Sequence, residues 1–453
     1  MKFVFVWRAI VFVVAILAAA GHTWAQPAPV PRSTWTLDDV IATAIAQHPL
    51  VEAAGARLDA ARGVRQTAAT LPNPIATYWV EHGTVGQTLS GNDVLGGDLV
   101  RETQTYFTVP LDPLFQRAPR IRRADEEIKS AEANIKTARR QVALDAARIF
   151  FRVALAQVAV EAAQQNRGGL DRLVSYNQAR VSQGTVPELD LIRARVELDR
   201  AATNVTLAEV DLVRSRAELW AFLGFPSPAP NTFTVTLPGA RTAAGLLALA
   251  DYVARAREQR PEIVSARARV AAAAADIEYQ RRLAVRQLGA TVGFKRSVGN
   301  NSFLGGVSIP IPLFDQNRGE VQRATGESLA AQKELAWSER SVAAEVQGAY
   351  DAAQQLSAQL SALQNAFVER AGEADRITLA AYQEGAATLL QVLDTTRALS
   401  ETRLIYYRLL LAQQQSMVDL ALAVGNEPSA LGVLQASTSG PDPVAQRDSG
   451  VKR

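Results

Sequence analysis

Thr108-Val109-Pro110-Leu111-Asp112-Pro113-Leu114-Phe115 recurs about 200 residues later as Ser308-Ile309-Pro310-Ile311-Pro312-Leu313-Phe314. One residue is lost between the prolines. Val181-Ser182-Gln183-Gly184-Thr185 likewise matches Tyr382-Gln383-Glu384-Gly385-Ala386, and Phe222-Leu223-Gly224 matches Ala423-Val424-Gly425. Both glycine pairs lie 201 apart. At the front, Gln47-His48-Pro49-Leu50 resembles Gln259-Arg260-Pro261-Glu262, each followed by an Ala/Arg-rich stretch. A fixed shift between matching segments marks an internal duplication, and this period is far too long for a solenoid. Each half reads helix, strand hairpin, very long helix, glycine turn, long helix. The first repeat is placed at 26–240, the second at 241–426 and a tail at 427–453. The end of the tail, 437–453, is read as disordered.

The segment 118–183 reads as one very long helix. Ile121, Ile128, Ile135, Val142, Ile149, Ala156, Ala163 and Leu170 lie seven apart, with Ala124, Ala131 and Ala138 three further on. A sustained seven-residue repeat imposes left-handed supercoiling, and alanine at one seam position lets helices approach closely. At 1.5 Å per residue the segment reaches roughly 100 Å. Past the turn, Leu191, Leu198, Val205, Leu212 and Leu219 repeat the pattern with Ala194, Ala201 and Ala208. The second copy has Val321, Leu335, Val342, Ala349, Leu356 and Leu363, then Leu390, Leu404, Leu411 and Val418.

Four short strands interrupt the coils. They are 74–81, 101–110, and two alternating runs. In the first run Leu288, Ala290, Val292 and Phe294 alternate with Gly289, Thr291, Gly293 and Lys295. In the second, Phe303, Gly305, Val307 and Ile309 alternate with Leu304, Gly306 and Ser308. Period two gives one apolar and one more polar face. The length suits an outer-membrane strand, about 9–11 residues. Tyr78, Trp79, Tyr106, Phe107, Phe115 and Phe314 could supply interfacial aromatics. Segments 82–100 and 298–301 read as strand-connecting loops. Four strands cannot close a transmembrane barrel, and an open edge is not tolerated in lipid. A membrane reading therefore requires oligomerisation, and three chains give twelve strands. The competing reading is a soluble hairpin pair packed on the coil, in a periplasmic coiled-coil adaptor or structural protein.

Composition narrows the function. The chain has 453 residues, 48% hydrophobic and 21% charged, so it is not disordered by composition. It has no cysteine, which excludes disulfides, thiol catalysis, Cys-based metal sites and an acyl-Cys anchor. Three His and two Met make no metal-chelating cluster. A net charge of +3 with no long basic run gives no nucleic-acid footprint. No nucleophile elbow or phosphate loop appears, so the chain is not read as an enzyme and no cofactor is expected. Arg117, Arg120, Arg122 and Arg123 could meet lipid phosphates, but read better as a solvated helix start.

The N-terminus reads as an export signal, 1–25. Lys2 and Arg8 form a positive start, Ala9 to Ala20 an apolar run, and Thr23-Trp24-Ala25 a cleavage site. The alternative, a membrane anchor, fails on length, since twelve residues span roughly 18 Å of helix.

These residues resemble the TolC family of outer-membrane efflux channels, from about Trp35 to Gly425. The carriers are the duplication, the Gly184-Thr185 turn followed by Asp190 and Ala194, and Glu384-Gly385-Ala386-Ala387-Thr388-Leu389-Leu390-Gln391-Val392-Leu393-Asp394. Leu71-Pro72-Asn73-Pro74 and Pro310-Ile311-Pro312-Leu313-Phe314-Asp315-Gln316-Asn317-Arg318-Gly319 look like the CzcC-type branch, which serves heavy-metal pumps. The resemblance implies a mainly α fold with a membrane β-barrel. A homotrimer would build a periplasmic α-barrel and a shared 12-stranded barrel in outer-membrane lipid. It implies a passive exit duct working with a periplasmic membrane fusion protein and an inner-membrane RND-type pump. The substrate would be a divalent metal cation, or a drug or secreted protein in the sister branches. Docking falls on the tip turns, Gln183, Gly184, Thr185, Val186, Glu384, Gly385, Ala386 and Ala387. Acidic pore rings fall on Asp394 and Gln391, with Asp190 as the first-copy counterpart. An entrance latch in relatives joins that position to a tyrosine and an arginine. The arginine position is Ala387 here, leaving Tyr382 as the candidate. Residues 225–245 with the tail would form an equatorial collar.

Overall fold

The computed structural model describes residues 33–84, 99–226, 232–236, 246–286, 288–297, 300–363 and 366–426. The export signal, the loop at 85–98, most of the 225–245 collar and the tail from 427 lie outside the described residues. The first repeat runs β1 (Thr34–Trp35), α1 (Leu37–Gln47), α2 (Pro49–Ala69), β2 (Ile75–Thr84), β3 (Leu99–Pro110), α3 (Pro113–Ser182) and α4 (Glu188–Phe222). β4 (Thr234–Val235) ends the first repeat, and the second runs α5 (Leu249–Gln259), α6 (Pro261–Arg282), β5 (Gly289–Ser297), β6 (Asn300–Ser308), α7 (Arg318–Leu363), α8 (Ala366–Gln383) and α9 (Leu389–Val424).

The matched sequence pairs fold alike. His48 and Arg260 each end one helix and start the next in extended backbone, and Pro49 and Pro261 take the first helical position. Proline fits there because its missing N–H would be unpaired anyway. Gly184, Gly224, Gly385 and Gly425 all have positive φ. Each closes its helix with the same hydrogen-bond pair, for example Thr185 N to Arg180 O at 3.0 Å with Gly184 N to Val181 O at 2.9 Å. In the second copy Ala386 N bonds Ala381 O at 2.8 Å and Gly385 N bonds Tyr382 O at 3.2 Å. This satisfies otherwise orphaned carbonyls, and glycine allows it.

Helix α3 has 70 residues and is roughly 105 Å long if straight. It begins five residues before the expected start and runs through Pro119. Proline inside a helix leaves the carbonyl four residues back without its N–H. That carbonyl belongs to Phe115, and the Arg282 guanidinium donates to it from the other repeat. The arginines beside it are not merely solvated. Arg117 and Arg120 donate to the last carbonyls of α2, at Ala69 (3.0 Å) and Ala68 (2.9 Å). Arg123 pairs with Glu127 and with Asp276 on α6, and Arg122 with Glu278.

The seam on α4 is packed as its period implies, with Leu191, Ala194, Ala201, Val205, Leu212 and Leu219 buried. On α3, Ile121, Ile128 and Ile135 are half-buried, whereas Val142 and Ile149 enter the main core. That core surrounds the middle of α3 with Trp35, Phe150, Trp220, Phe233 and Leu422. Strands β1 and β4 pair in parallel across it. In the first turns of α9 the buried residues are Leu389, Val392 and Leu393, and Leu390 faces outward.

Beside this core two arginines and two glutamates form a closed ring. Arg260, 2% exposed, donates to Glu262 (2.9 Å), Glu345 (2.7 Å) and the Ala423 carbonyl (2.7 Å). Arg140 donates to the other oxygens of Glu262 (2.7 Å) and Glu345 (3.0 Å). The ring joins α3, α6, α7 and the end of α9.

The four longer strands form one sheet, ordered β2-β3-β5-β6, with every neighbour antiparallel. The β3–β5 pairing joins the two repeats. All helix connections leave from one end of this sheet, where Pro110 and Ser308 lie opposite Gly289.

Candidate functional site

The register assigns each sheet residue to a face. Ala76, Tyr78 and Val80 share a face with Phe107, Val109, Ala290, Val292, Phe294, Phe303 and Val307. Only Thr103 and Thr105 interrupt it before His82, Arg296 and Asn301 close the far end. Tyr78, Phe107, Val292, Phe294, Phe303 and Val307 are all exposed. The opposite face carries Thr77, Trp79, Glu81, Glu102, Gln104, Tyr106, Thr108, Thr291, Lys295 and Ser302. There Glu102 pairs with Lys295 and accepts from Ser297, and the Thr108 and Thr291 hydroxyls lie 3.0 Å apart. Such a sheet suits a barrel wall with lipid outside and water inside. Its outer strands, β2 and β6, have no further partner strand among the described residues.

At the opposite end of the helices sit the two tip turns. Gln183, Gly184, Thr185, Glu384, Gly385 and Ala386 are exposed, and Val186 and Ala387 are half-buried. Gly385→Ala is expected to destabilise this tip by about 1–2 kcal/mol, the cost of a side chain in left-handed backbone. Hydrogen exchange at 381–387 would register it as faster local opening, with the equator unchanged.

Behind the turns lies a small core of Leu170, Leu173, Ala194, Tyr382, Leu389 and Val392. Tyr382 is buried, and its hydroxyl donates to the Asn177 amide oxygen. Burial pushes the Tyr382 phenol up, helped by the Asp190 charge and opposed by the Arg180 charge. Arg180 lies over two rings, 5.5 Å from Tyr176 and 5.8 Å from Tyr382, and reaches the Tyr382 carbonyl at 3.5 Å. The Tyr176 hydroxyl donates to the Gln383 carbonyl at 3.4 Å. Position 387 is alanine, and the arginine that meets Tyr382 is Arg180, from the first repeat. Sequence reasoning missed Tyr176, Asn177 and Arg180. The available signal was Tyr176 and Arg180 one helical turn apart, just before a glycine turn.

The acidic candidates separate. Asp190 is the third helical residue of α4, and Gln391 the third of α9. Asp190 therefore corresponds to Gln391, and Asp394 to Arg193, which lies 4.0 Å from Asp190. The Gln391 side chain turns back to the helix start and accepts from Thr388 N at 2.8 Å, while the Thr388 hydroxyl accepts from Gln391 N. That is a capping box. Asp394 is exposed one turn further on. Among the described residues no group of three His, Asp or Glu could hold a metal ion, and no helix is long and apolar enough to cross a membrane.

The family model described as outer membrane efflux protein matches residues 40–225 and 252–426, and the chain belongs to that family. The cobalt-zinc-cadmium resistance protein CzcC of Cupriavidus metallidurans is 24% identical over 378 residues, 82% of this chain and 85% of that protein. The pyoverdine export outer membrane protein OpmQ of Pseudomonas putida is 29% identical over 279 residues, 58% of this chain and 57% of that protein. Among solved structures, CusC superposes with TM-score 0.70 at 20% identity over 89% of this chain and 96% of CusC. VceC of Vibrio cholerae superposes with TM-score 0.68 at 19% identity, over 86% of this chain and 96% of VceC. The fold is that of outer-membrane efflux channels, and the protein is an outer-membrane component of an efflux system.

Proposed function

We propose that three copies assemble into a closed conduit, a 12-stranded barrel in outer-membrane lipid continued by an α-barrel across the periplasm. The observation that carries this is the four-stranded sheet. It has one apolar face, one polar face and two open edges, and lipid tolerates no open edge. In this reading the chain is exported by the signal at 1–25 without lipidation, and its two structural repeats divide near residue 240. It does no chemistry of its own. The tip turns receive a periplasmic membrane fusion protein, which couples the duct to an inner-membrane RND-type pump. The likeness to CzcC over most of the chain supports a divalent metal cation as cargo. The shorter likeness to OpmQ supports an organic exported molecule as the second reading.

Three exposed Asp394 carboxylates near the tip would make a negative constriction that favours cations. In planar bilayers the wild-type trimer should conduct cations over anions, and Asp394→Ala should weaken that preference. Unchanged selectivity would remove Asp394 from the constriction. Recovery only as a soluble periplasmic monomer would overturn the conduit itself.

A further inference from the structure

The four long strands sort their charges by face. Their only carboxylates, Glu81 and Glu102, stand on the polar face, where Lys295 pairs with Glu102. The next residue, Arg296, falls on the apolar face by strand alternation. No carboxylate of the strands shares that face, and Arg296 makes no ion pair among the described residues. Arg296 and Asn301 are both exposed and are direct partners across β5 and β6. On β3 the partner of Arg296 is Thr103, and two residues further out the register pairs Arg101 with His82. This end of the apolar face thus gathers basic residues and no acid.

The charge sits at one definite height. Phe294 and Phe303, with ring centroids 5.6 Å apart, are the register pair just below it on the same face. Two strand residues tilted by about 40° climb roughly 5 Å along the membrane normal. This is the sheet end away from the helices. With the helices in the periplasm it lies at the outer leaflet, just above the acyl chains. An uncompensated arginine is unfavourable in hydrocarbon, and its long stem lets the guanidinium reach the headgroup layer. The anions there are lipid phosphates, which a guanidinium holds through parallel hydrogen bonds. Directly opposite side chains have Cβ atoms about 5 Å apart, so the Asn301 amide can donate to the same phosphate.

We propose that Arg296, with Asn301 beside it, binds a phosphate group of an outer-leaflet lipid headgroup, at one site on each copy. The contact ties the outer rim of the barrel to the membrane surface. The proposal rests on the barrel reading above.

Native mass spectrometry of the detergent-solubilised trimer, titrated with diphosphorylated lipid A, tests it. Wild type should bind the phosphorylated lipid and not its dephosphorylated form. Arg296→Ala should weaken binding about fivefold per site, the effect of one arginine at an anionic membrane surface. Arg296→Lys, which keeps the charge, should recover most of that loss. The double variant Lys295→Ala, Glu102→Gln, which removes the ion pair on the other face, should bind as wild type does. Equal binding of the dephosphorylated lipid, or wild-type affinity in Arg296→Ala, overturns the phosphate site and leaves the barrel standing. Displacement of lipid A by an equal concentration of inorganic phosphate overturns the lipid assignment in favour of a free anion. Loss of binding in the double variant with none in Arg296→Ala puts lipid on the opposite face and overturns the barrel reading as well. Recovery of monomer only also overturns both.

Discussion

Arg260→Met is expected to lower stability by about 3 kcal/mol, because two partly buried carboxylates lose a shared cation. Arg140 remains, but each glutamate then has one arginine where it had two. The Ala423 carbonyl also loses its donor at the end of α9. Arg260→Lys should recover part of the loss, since an ammonium cannot reach three acceptors in the guanidinium's planar fork. The effect has a pH signature. Burial pushes the Glu262 carboxyl up, but Arg260 and Arg140 outweigh it and hold it below the usual glutamate range. A depressed folded value contributes stability that is full above the ordinary value, about 4.3, and is lost as pH falls through the folded one. The gap between wild type and Arg260→Met should therefore be widest near neutral pH and shrink in acid below that range. Thermal unfolding followed by far-UV circular dichroism in detergent, at pH 7 and again in acid, measures both parts.

The second large effect is expected at Gly293. Its ideal Cβ would lie 2.4 Å from the Thr105 carbonyl oxygen and 2.7 Å from Tyr106 Cα. Those are backbone atoms and cannot swing aside. Gly293→Val should force β5 from β3, the one pairing that joins the hairpins of the two repeats. Each broken rung in an apolar medium leaves polar groups costing several kcal/mol. The expected outcome is loss of the oligomer on unheated gel electrophoresis, with helical content largely retained. Gly306→Ala, where nothing lies within 4 Å of the added carbon, should leave the oligomer intact.

Much of this fold was legible because the duplication repeats its punctuation. Gly184 and Gly385, or Pro49 and Pro261, stand at the same step of the same hydrogen-bond pattern in both copies. The seam on α4 was legible because it packs within the chain. Ile121, Ile128 and Ile135 keep the same period but stay half-buried, as expected where a seam faces outside its own chain. The start of α3 was misplaced because Pro119 reads as a boundary. Its tolerance depends on Arg282, 163 positions away, which local sequence does not reveal. The β1–β4 pair has two residues in each strand, too few for any period to show.

The tip was half legible. Glycine marked the turns, but the contacts behind them join residues some 200 positions apart. Tyr382 meets Asn177 and Arg180 only once the two repeats lie side by side. Gln391 looked like a substituted pore acid, and its amide is occupied at the helix start.

The sheet's two free borders are different strands, one from each repeat, and they run in opposite directions. Copies inserted in the membrane with the same polarity cannot join like border to like border without a parallel rung. Joining the last strand of one copy to the first of the next keeps the alternation unbroken. That junction is heterologous, so in the proposed conduit successive copies are related by rotation about one axis, as a closed ring requires. The gene duplication thus determines more than the shape of one chain. By ending the sheet on two unlike strands, it suits the proposed conduit to cyclic symmetry and not to paired, face-swapped assemblies.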